Sequence, residues 1–473
     1  MSLLRHHDAL LAPWARLAGQ WQANVLLRWN ALGTLTHVIP HAGTTDIQAA
    51  GRVYAAQGAV LGGMPNLHSH AFQSAMAGQA EWRSQGQDSF WSWRELMYRF
   101  AARLEPEQSH AIAQWLYIQM LKSGYTSVCE FHYLHHQRDG RPYRPATALA
   151  QGVLEAARST GLAITLLPVL YQYSNFGAVA ARDDQKRFLN SPTQLLHLLE
   201  SLQASHPADQ DRHYGVAPHS LRAVTVSSLD TLLRGLRHLP HCRSIHIHIA
   251  EQTGEVDACR QEHGCGPVDF LHDHFDVNER WCLVHATHIS DQERQRIVRS
   301  GAVAGLCPST EANLGDGLFP AAAFLDESGR LGIGSDSHIC VDWRSELRLL
   351  EYGQRLMRRQ RNVLANAAQP SVADHLFDTA AHGGAQASGR RCGELAPGRQ
   401  ADLMVLDLEH PILAGLDSRH WLSALVFTER AHANPIRDVF VSGTACVQDG
   451  RHPLEEQAFA AYRQALASLQ RRA

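Results

Sequence analysis

A short apolar run, a polar loop and a longer helical pattern follow one another repeatedly from residue 59 to about residue 380. Each unit of this kind predicts a strand, a turn and a helix that crosses back to a parallel neighbour. Eight such units are the number that closes a barrel with its strands inside and its helices outside. The repeated pattern therefore predicts an α/β fold, a (β/α)₈ barrel of the TIM type.

The eight predicted barrel strands are short and apolar. They are Ala59–Pro65, Ser127–Phe131, Ala163–Leu170, Tyr214–Ala217, Ser244–Ile249, Cys282–His285, Ala302–Cys307 and Leu331–Gly334. Helices are predicted between them at Gln108–Ser123, Pro145–Ser159, Gln194–Ser205, Ser227–Leu236 and Asp291–Ser300. An open doubly wound sheet is the alternative, but no GxGxxG motif follows an early strand, which disfavours it.

The two ends of the chain differ from its middle. Gly33–Val60 and Gly393–Pro453 carry short alternating strand patterns, with turns at Pro397-Gly398 and Asp449-Gly450. Both ends are expected to pair into one small β-sandwich domain. The predicted division is therefore a discontinuous domain of residues 1–60 and 390–473 around a barrel of residues 61–389.

The composition of the chain limits which classes of partner and which cellular compartment are expected. A net charge of −3 with 19% charged residues argues against a nucleic acid or a membrane surface as partner. The nine cysteines form no CxxC pair, so a disulfide framework is not expected and a reducing cytoplasm is the simpler interpretation. An export signal is not expected, because the first residues lack an uninterrupted apolar region followed by a small-residue cleavage site, and a membrane span is not expected either. A homodimer is expected from base rates alone.

His68 and His70 stand at the end of the first predicted strand, in the run Met64-Pro65-Asn66-Leu67-His68-Ser69-His70. On an extended segment alternate side chains point the same way, so two imidazoles at this spacing can bind one ion. With 30 histidines in the chain, an HxH pair by itself could arise by chance. The interpretation depends on further ligands.

Further ligands stand at the ends of later strands: His248 on strand five, His285 on strand six and Asp336 after strand eight. In barrel enzymes the C-terminal ends of the strands form the active site, so these residues are expected to converge. The predicted metal ligands are His68, His70, His248 and Asp336. His246, two residues before His248, is interpreted as structural.

Three histidines and one aspartate suit one divalent metal per chain, Zn²⁺ in the first place, with water in an open position, although Fe²⁺, Co²⁺ or Mn²⁺ can bind the same ligands. Such a water has a pKa near 7 instead of about 15.7. Asp336 is predicted to accept the proton of the water and Glu251 to shuttle a proton to the substrate nitrogen. His285 is predicted to polarise the electrophile or to hold the attacking hydroxide. The alternative for Glu251 is a solvated loop carboxylate. The only lysines, Lys122 and Lys186, stand at no strand end, so a second metal bridged by a carboxylated lysine is not expected.

With HxH, His, His and Asp in this order, the chain resembles the amidohydrolase superfamily over most of its length. Within it, some longer runs resemble the formimidoylglutamate deiminases of histidine breakdown. These runs are Gly63-Met64-Pro65-Asn66-Leu67-His68-Ser69-His70-Ala71-Phe72-Gln73, Asp88-Ser89-Phe90-Trp91-Ser92-Trp93-Arg94, Glu130-Phe131-His132-Tyr133, Ala217-Pro218-His219-Ser220-Leu221-Arg222 and His246-Ile247-His248-Ile249-Ala250-Glu251-Gln252.

The resemblance implies hydrolysis of N-formimino-L-glutamate to N-formyl-L-glutamate and ammonia, by attack of metal-generated hydroxide on the formimino carbon. A small dicarboxylate substrate needs cationic and hydroxyl donors. The residues expected to supply them are Gln73, Arg94, Tyr133, His219 and Arg222. Each also has a structural interpretation, such as a surface cation for Arg94 or a helix cap for Gln73.

Two other functions stay open at this point. A nucleobase or nucleoside deaminase of the same superfamily, acting on guanine or an adenosine derivative, would share the metal and acid–base residues but would need a pocket for an aromatic base. A non-catalytic barrel that only binds metal is the second, although it would not need Glu251 and His285 beside the ligands.

Overall fold

The computed structural model describes residues 7–82, 90–430 and 434–471. Eight parallel strands stand side by side in chain order and form the barrel, and nearly all their residues are buried. They are Met64–Ser69, Tyr125–His132, Ala163–Leu170, Arg212–Pro218, Cys242–Ile249, Trp281–His285, Val303–Leu306 and Arg330–Ile333. The predicted α/β barrel is confirmed.

The barrel closes between its first and last strands. Ser69 forms a parallel bridge with Asp336 just beyond the eighth strand. The N–H of Asp336 donates to the carbonyl of His68 at 3.0 Å, and the N–H of His70 donates to the carbonyl of Asp336 at 3.1 Å. Closure therefore brings the HxH pair and the distant aspartate into direct contact.

The predicted first strand, Ala59–Pro65, is wrong as a single barrel strand. Ala59–Gly62 belongs to a different sheet, and the barrel begins at Met64. Backbone pairing changes partner at this point, since Gly63 N–H donates to Asp402 while Met64 N–H donates to Gly124. Both segments are buried and apolar, so the sequence shows one continuous run where the chain passes from one sheet into the other.

The other seven strands overlap their predicted ranges, and the predicted helices are confirmed with shifts of one to three residues at most of their ends. Helices on the barrel include Pro106–Lys122, Ala148–Thr160, Pro192–Ser205, Val226–Gly235, Thr253–His263, Pro267–His274, Asp291–Ser300, Pro308–Leu314, Ala321–Asp326, Trp343–Arg358 and Val372–Ser388. A helix at Phe90–Ala101 follows the first strand and covers the mouth of the barrel.

Both ends of the chain contribute to a second, eight-stranded sheet. Its strands are Ala9–Leu17, Gln20–Trp29, Leu35–Ile39, Val53–Ala55, Ala59–Gly62, Leu403–Leu406, Ile436–Val441 and Thr444–Val447. Ala59–Gly62 joins the two halves, because it pairs with Ala9–Leu17 on one side and with Leu403–Leu406 on the other. This sheet fits the predicted sandwich, while the domain limits at residues 60 and 390 stay a prediction.

Further helices, 3-10 turns and one hairpin complete the described structure. They are the helices Thr44–Gln48, Trp421–Phe427 and Glu455–Arg471, the 3-10 turns Ala71–Met76, Asp183–Gln185, Leu236–His238 and Ser418–His420, and the hairpin strands Tyr173–Asn175 and Val179–Ala180. Over the described ranges, none of the helices combines the length and apolar character needed to cross a membrane.

Candidate active site

Four buried side chains converge at the C-terminal end of the barrel. The Nε2 atom of His68 lies 3.2 Å from Nε2 of His70 and 3.1 Å from Nε2 of His248. An oxygen of Asp336 lies 3.5 Å from His68 Nε2 and 3.4 Å from His70 Nε2. The structure thus brings all four predicted ligands together around one point.

These spacings fit a bound cation. Metal–nitrogen bonds of about 2.0–2.1 Å in a tetrahedral site hold neighbouring ligand atoms about 3.3–3.4 Å apart. A neutral imidazole has only one N–H, so hydrogen bonds alone do not explain why His68 Nε2 faces nitrogen atoms of both His70 and His248. His68, His70 and Asp336 form one group able to hold a metal ion, and His68 and His248 form another together with His285. The donor set therefore fits one divalent metal.

The protonation of the ligands suits metal binding. Burial lowers the pKa of His68 to about 3 and lowers the pKa of His70 as well. Burial and the neighbouring imidazoles hold the pKa of His248 well below its usual value. Burial acts to raise the pKa of Asp336, but its contacts with the surrounding histidines outweigh burial and keep the pKa low. At neutral pH the site presents neutral imidazoles and an ionised carboxylate, the forms in which these groups bind metal.

A buried carboxyl that the sequence analysis left without a role holds the HxH segment. Glu130 accepts hydrogen bonds from Ser69 Oγ at 2.6 Å, from the Ala71 N–H at 2.7 Å and from Tyr117 OH at 3.1 Å. Ser69 Oγ also lies 3.1 Å from Nε2 of His338 in the loop of Asp336. The backbone between and behind the two histidines is therefore fixed from both sides of the barrel closure.

Glu251 and His285 lie beside the ligands and face the same cavity. His285 Nε2 is 3.9 Å from a Glu251 oxygen and 3.8 Å from an Asp336 oxygen. Burial raises the pKa of Glu251 to about 7. Burial alone would lower the pKa of His285, but the surrounding carboxylates, Glu251 first among them, outweigh burial and raise it to about 10. Glu251 is a buried carboxyl here, in contrast to its solvated alternative.

The opposite wall of the cavity carries two arginines. The guanidinium carbon of Arg94 lies 4.5 Å from the ring centre of Trp91, and that of Arg222 lies 5.7 Å from it. The Nε atoms of both arginines are buried without a hydrogen-bond partner among the described residues. Neither arginine forms an ion pair with a carboxylate in the part of the chain that the structure describes. Two guanidinium groups therefore lie near the same indole ring, and their Nε–H groups are available to donate hydrogen bonds to a ligand.

Between the arginines and the metal ligands lie Gln73, Tyr133 and His219. Gln73 Nε2 donates to Tyr133 OH at 2.7 Å, while the Gln73 Oε1 atom is buried without a partner among the described residues. Burial, and next the charge of Arg222, hold the pKa of His219 well below its usual value. This part of the wall is polar but uncharged.

The structure therefore brings the predicted site together in one cavity. Its lining includes His70, Gln73, Arg94, Tyr133, His219, Arg222, His248, Glu251, His285 and Asp336, with His68 buried directly behind. His246 contacts the Ala387 carbonyl instead, with Nε2 at 2.9 Å. Asp88 and Ser89 of the predicted motif lie outside the described residues. The roles of the individual residues stay predictions.

Comparisons with known proteins agree with this site. The model of the amidohydrolase family matches residues 59–446. The chain is 49% identical over 464 residues to a formimidoylglutamate deiminase of Pseudomonas aeruginosa, covering 98% of this chain and 99% of that protein. It is 27% identical over 402 residues to an 8-oxoguanine deaminase of the same species, covering 83% of this chain and 82% of that protein. A solved amidohydrolase from Brucella melitensis is 43% identical, with a TM-score of 0.89, over 98% of this chain and 100% of that one.

Proposed function

The chain belongs to the amidohydrolase family, and from this premise we propose that it hydrolyses N-formimino-L-glutamate to N-formyl-L-glutamate and ammonia. The sequence identity of 49% over nearly the whole length supports this substrate. The 8-oxoguanine deaminase is much more distant, at 27% identity. The chain is thus a hydrolytic deiminase, which sets aside a barrel that only binds metal.

One observation in the structure carries the choice of substrate: the two unpaired arginines opposite the metal ligands. Arg222 is buried and Arg94 is half-buried, and neither lies within ion-pair distance of a carboxylate among the described residues, so their guanidinium groups suit a ligand that brings negative charge. A guanidinium group binds a carboxylate through two parallel hydrogen bonds. Guanine and adenosine carry no carboxylate, whereas formiminoglutamate carries two.

The substrate is proposed to span the cavity from one wall to the other. Its carboxylates bind Arg94 and Arg222, and the donors of Tyr133 and His219 complete their hydrogen bonds. The buried, unpaired Oε1 of Gln73 can accept a hydrogen bond from a substrate N–H. Binding at this end orients the formimino group towards Glu251 and His285, which lowers the entropy cost of reaching the reactive geometry.

The metal is proposed to be bound by His68, His70, His248 and Asp336. When bound there, a divalent ion supplies Lewis acidity and a nucleophilic water near neutral pH. The rest of the chemistry falls to the side chains. Hydrolysis moves both protons of the water to the imino nitrogen, which leaves as ammonia when the carbon–nitrogen bond breaks and the formyl C=O forms.

Glu251 is proposed to carry one of these protons and Asp336 the other. A carboxyl with a pKa of about 7 exists in both forms at neutral pH, so Glu251 can take up a proton and deliver it within one turnover. Asp336 is ionised and can accept a proton from the attacking water. His285, placed between them, donates a hydrogen bond that holds the attacking oxygen or polarises the formimino group.

Finer features are part of the same proposal. The three-histidine, one-aspartate donor set suits zinc, one ion per chain, although related divalent metals accept the same ligands. All nine cysteines are free thiols, which supports a reducing cytoplasm as the location, and the proposed substrate places the enzyme in histidine degradation. We retain the homodimer as an expectation from base rates.

Proton NMR with the purified enzyme tests the proposal. The formimino proton of N-formimino-L-glutamate should be replaced by a formyl proton, with one equivalent of ammonia formed per equivalent of substrate. A spectrum that stays unchanged, with no ammonia, from metal-loaded enzyme would contradict the proposed function.

A further inference from the structure

Glu311 lies behind His285, on the side away from the cavity. It stands on the helix Pro308–Leu314, which follows the seventh barrel strand, and its side chain is buried. Its Oε1 atom lies 3.2 Å from Nδ1 of His285. No role was assigned to Glu311 from the sequence, and it does not line the cavity.

The same oxygen of Glu311 also accepts a hydrogen bond from the N–H of Cys307 at 2.8 Å. An oxygen that already accepts from a backbone N–H acts as an acceptor, so Nδ1 of the imidazole must carry a hydrogen. The other ring nitrogen, Nε2, then faces Glu251 and Asp336 across the cavity. The bond made by one nitrogen of a histidine decides what the other can do.

The backbone at His285 makes such support necessary. His285 has φ 70° and Ala286 has φ 48°, both in the left-handed region that residues with side chains rarely adopt. Strained backbone of this kind persists at functional sites only where surrounding contacts fix it. A hydrogen bond from the imidazole to a rigid partner is one such contact.

A second buried carboxyl contacts the helix of Glu311 from the other side. Glu346 accepts hydrogen bonds from the N–H and the hydroxyl of Ser309. Two buried carboxyls therefore fix the same short helix, but in the described structure only that of Glu311 contacts His285.

We propose that Glu311 is a positioning residue for the reaction, because its hydrogen bond with Nδ1–H fixes the ring orientation of His285 so that Nε2 points at the reacting atoms. This inference rests on the proposed function. Glu311 acts through His285 and does not itself touch the substrate. Partners that orient a histidine in this way typically contribute about 10–100-fold to activity when the histidine serves a metal site.

A competing use of the same residues is a second cation site. His285, Cys307 and Glu311 have potential ligand atoms within 4.8 Å of one another. However, the Glu311 oxygen already accepts from two N–H groups, and a cation there would displace the hydrogen from Nδ1. The metal content of the protein separates the two possibilities.

Four variants test the inference. Glu311→Leu removes the acceptor and keeps a similar volume, and Glu311→Gln restores an acceptor oxygen. Glu346→Leu is the matched control, since it removes the other buried carboxyl that anchors the helix. His285→Asn supplies the background for a double-mutant cycle. If Glu311→Leu yields no folded protein, Glu311→Asp replaces it, because the shorter side chain cannot reach both N–H groups.

We expect Glu311→Leu to lower kcat by about tenfold or more, with little change in KM and one metal per chain. Glu311→Gln should recover most of this loss, and Glu346→Leu should keep kcat near wild type. In the His285→Asn background, Glu311→Leu should cost nothing further, because residues that act as a unit are not additive.

Several results would overturn the inference. They are wild-type kcat for Glu311→Leu, a glutamine variant as slow as the leucine variant, an undiminished loss in the His285→Asn background, an equal loss in Glu346→Leu, or a second metal that disappears with Glu311. The wild-type enzyme in the same assay distinguishes this failure from that of the proposed function, since only the latter leaves wild type inactive on formiminoglutamate.

Discussion

The two walls of the cavity contrast in charge and in the state of their partners. At the metal wall, each functional group is already in contact with another: imidazoles with imidazoles, His285 with Glu311, and the HxH backbone with Glu130. At the opposite wall, Arg94 and Arg222 share an indole ring, and their Nε atoms have no hydrogen-bond partner among the described residues.

This difference separates chemistry from recognition. Groups that must move protons or bind metal are fixed by the protein before substrate arrives, which is the condition for electrostatic catalysis. Groups that must recognise a carboxylate keep hydrogen-bond donors free for it, so these hydrogen bonds stabilise the protein–substrate complex only once the carboxylate is bound. Changes at the metal wall should therefore act on kcat, and changes at the arginine wall on KM.

Removal of the metal should have the largest effect. Chelation is expected to abolish ammonia release, and added Zn²⁺ is expected to restore it, because the metal wall lacks its nucleophile without the ion. Activity and metal content are measured on the same samples. Full turnover by metal-free protein would contradict the claim that the metal wall needs a bound ion for the reaction.

Glu251→Gln should have the next largest effect. The amide keeps the size of the side chain but cannot carry a proton, so kcat should fall by about 10²–10⁴-fold. KM and metal content should change little, since Glu251 is not one of the proposed ligands. The check is steady-state kinetics together with metal analysis. Unchanged turnover would show that another group shuttles the proton.

At the arginine wall, Arg222→Met should raise KM by about 10–100-fold. This factor corresponds to the loss of one charge-assisted hydrogen bond, which contributes about 1.5–3 kcal/mol. Arg222→Lys should recover little, because lysine lacks the planar pair of donors. Arg234→Met is the control, an exposed arginine paired with Asp230 on the following helix. A loss confined to kcat would show that this wall takes part in the chemistry.

A smaller effect, on stability, is expected from Glu346, which lies outside the cavity and contacts the helix Pro308–Leu314. Burial raises its pKa to about 8, so the folded protein keeps a proton there that the unfolded chain loses near its ordinary pKa of 4.5. Stability from this group is therefore lost as the pH rises towards 8. Glu346→Gln does not titrate. Its Tm should exceed that of wild type by a few degrees at pH 9 and differ less at pH 6; a constant difference would contradict the raised pKa.

The sequence predicted the barrel and the converging strand ends because both depend on short-range patterns. His68, His248 and Asp336 each follow an apolar run, and strand ends meet at one face of a barrel. The change of sheet at Gly63 was not predictable. The strands on both sides of Gly63 are buried and apolar, so the sequence shows them as one continuous apolar run. Glu311 was also missed. Its role depends on the direction of one imidazole, which no spacing along the chain specifies.

The substrate itself provides the most direct test of the central claim, that a metal wall and an arginine wall together make a deiminase for a dicarboxylate. The measurement is kcat/KM for ammonia release from N-formimino-L-glutamate, guanine and adenosine with the same metal-loaded enzyme. The account predicts turnover of formiminoglutamate, and for the two uncharged compounds a kcat/KM lower by at least about 10³-fold, because neither engages the arginines. Turnover of guanine or adenosine, with none of formiminoglutamate, would contradict it.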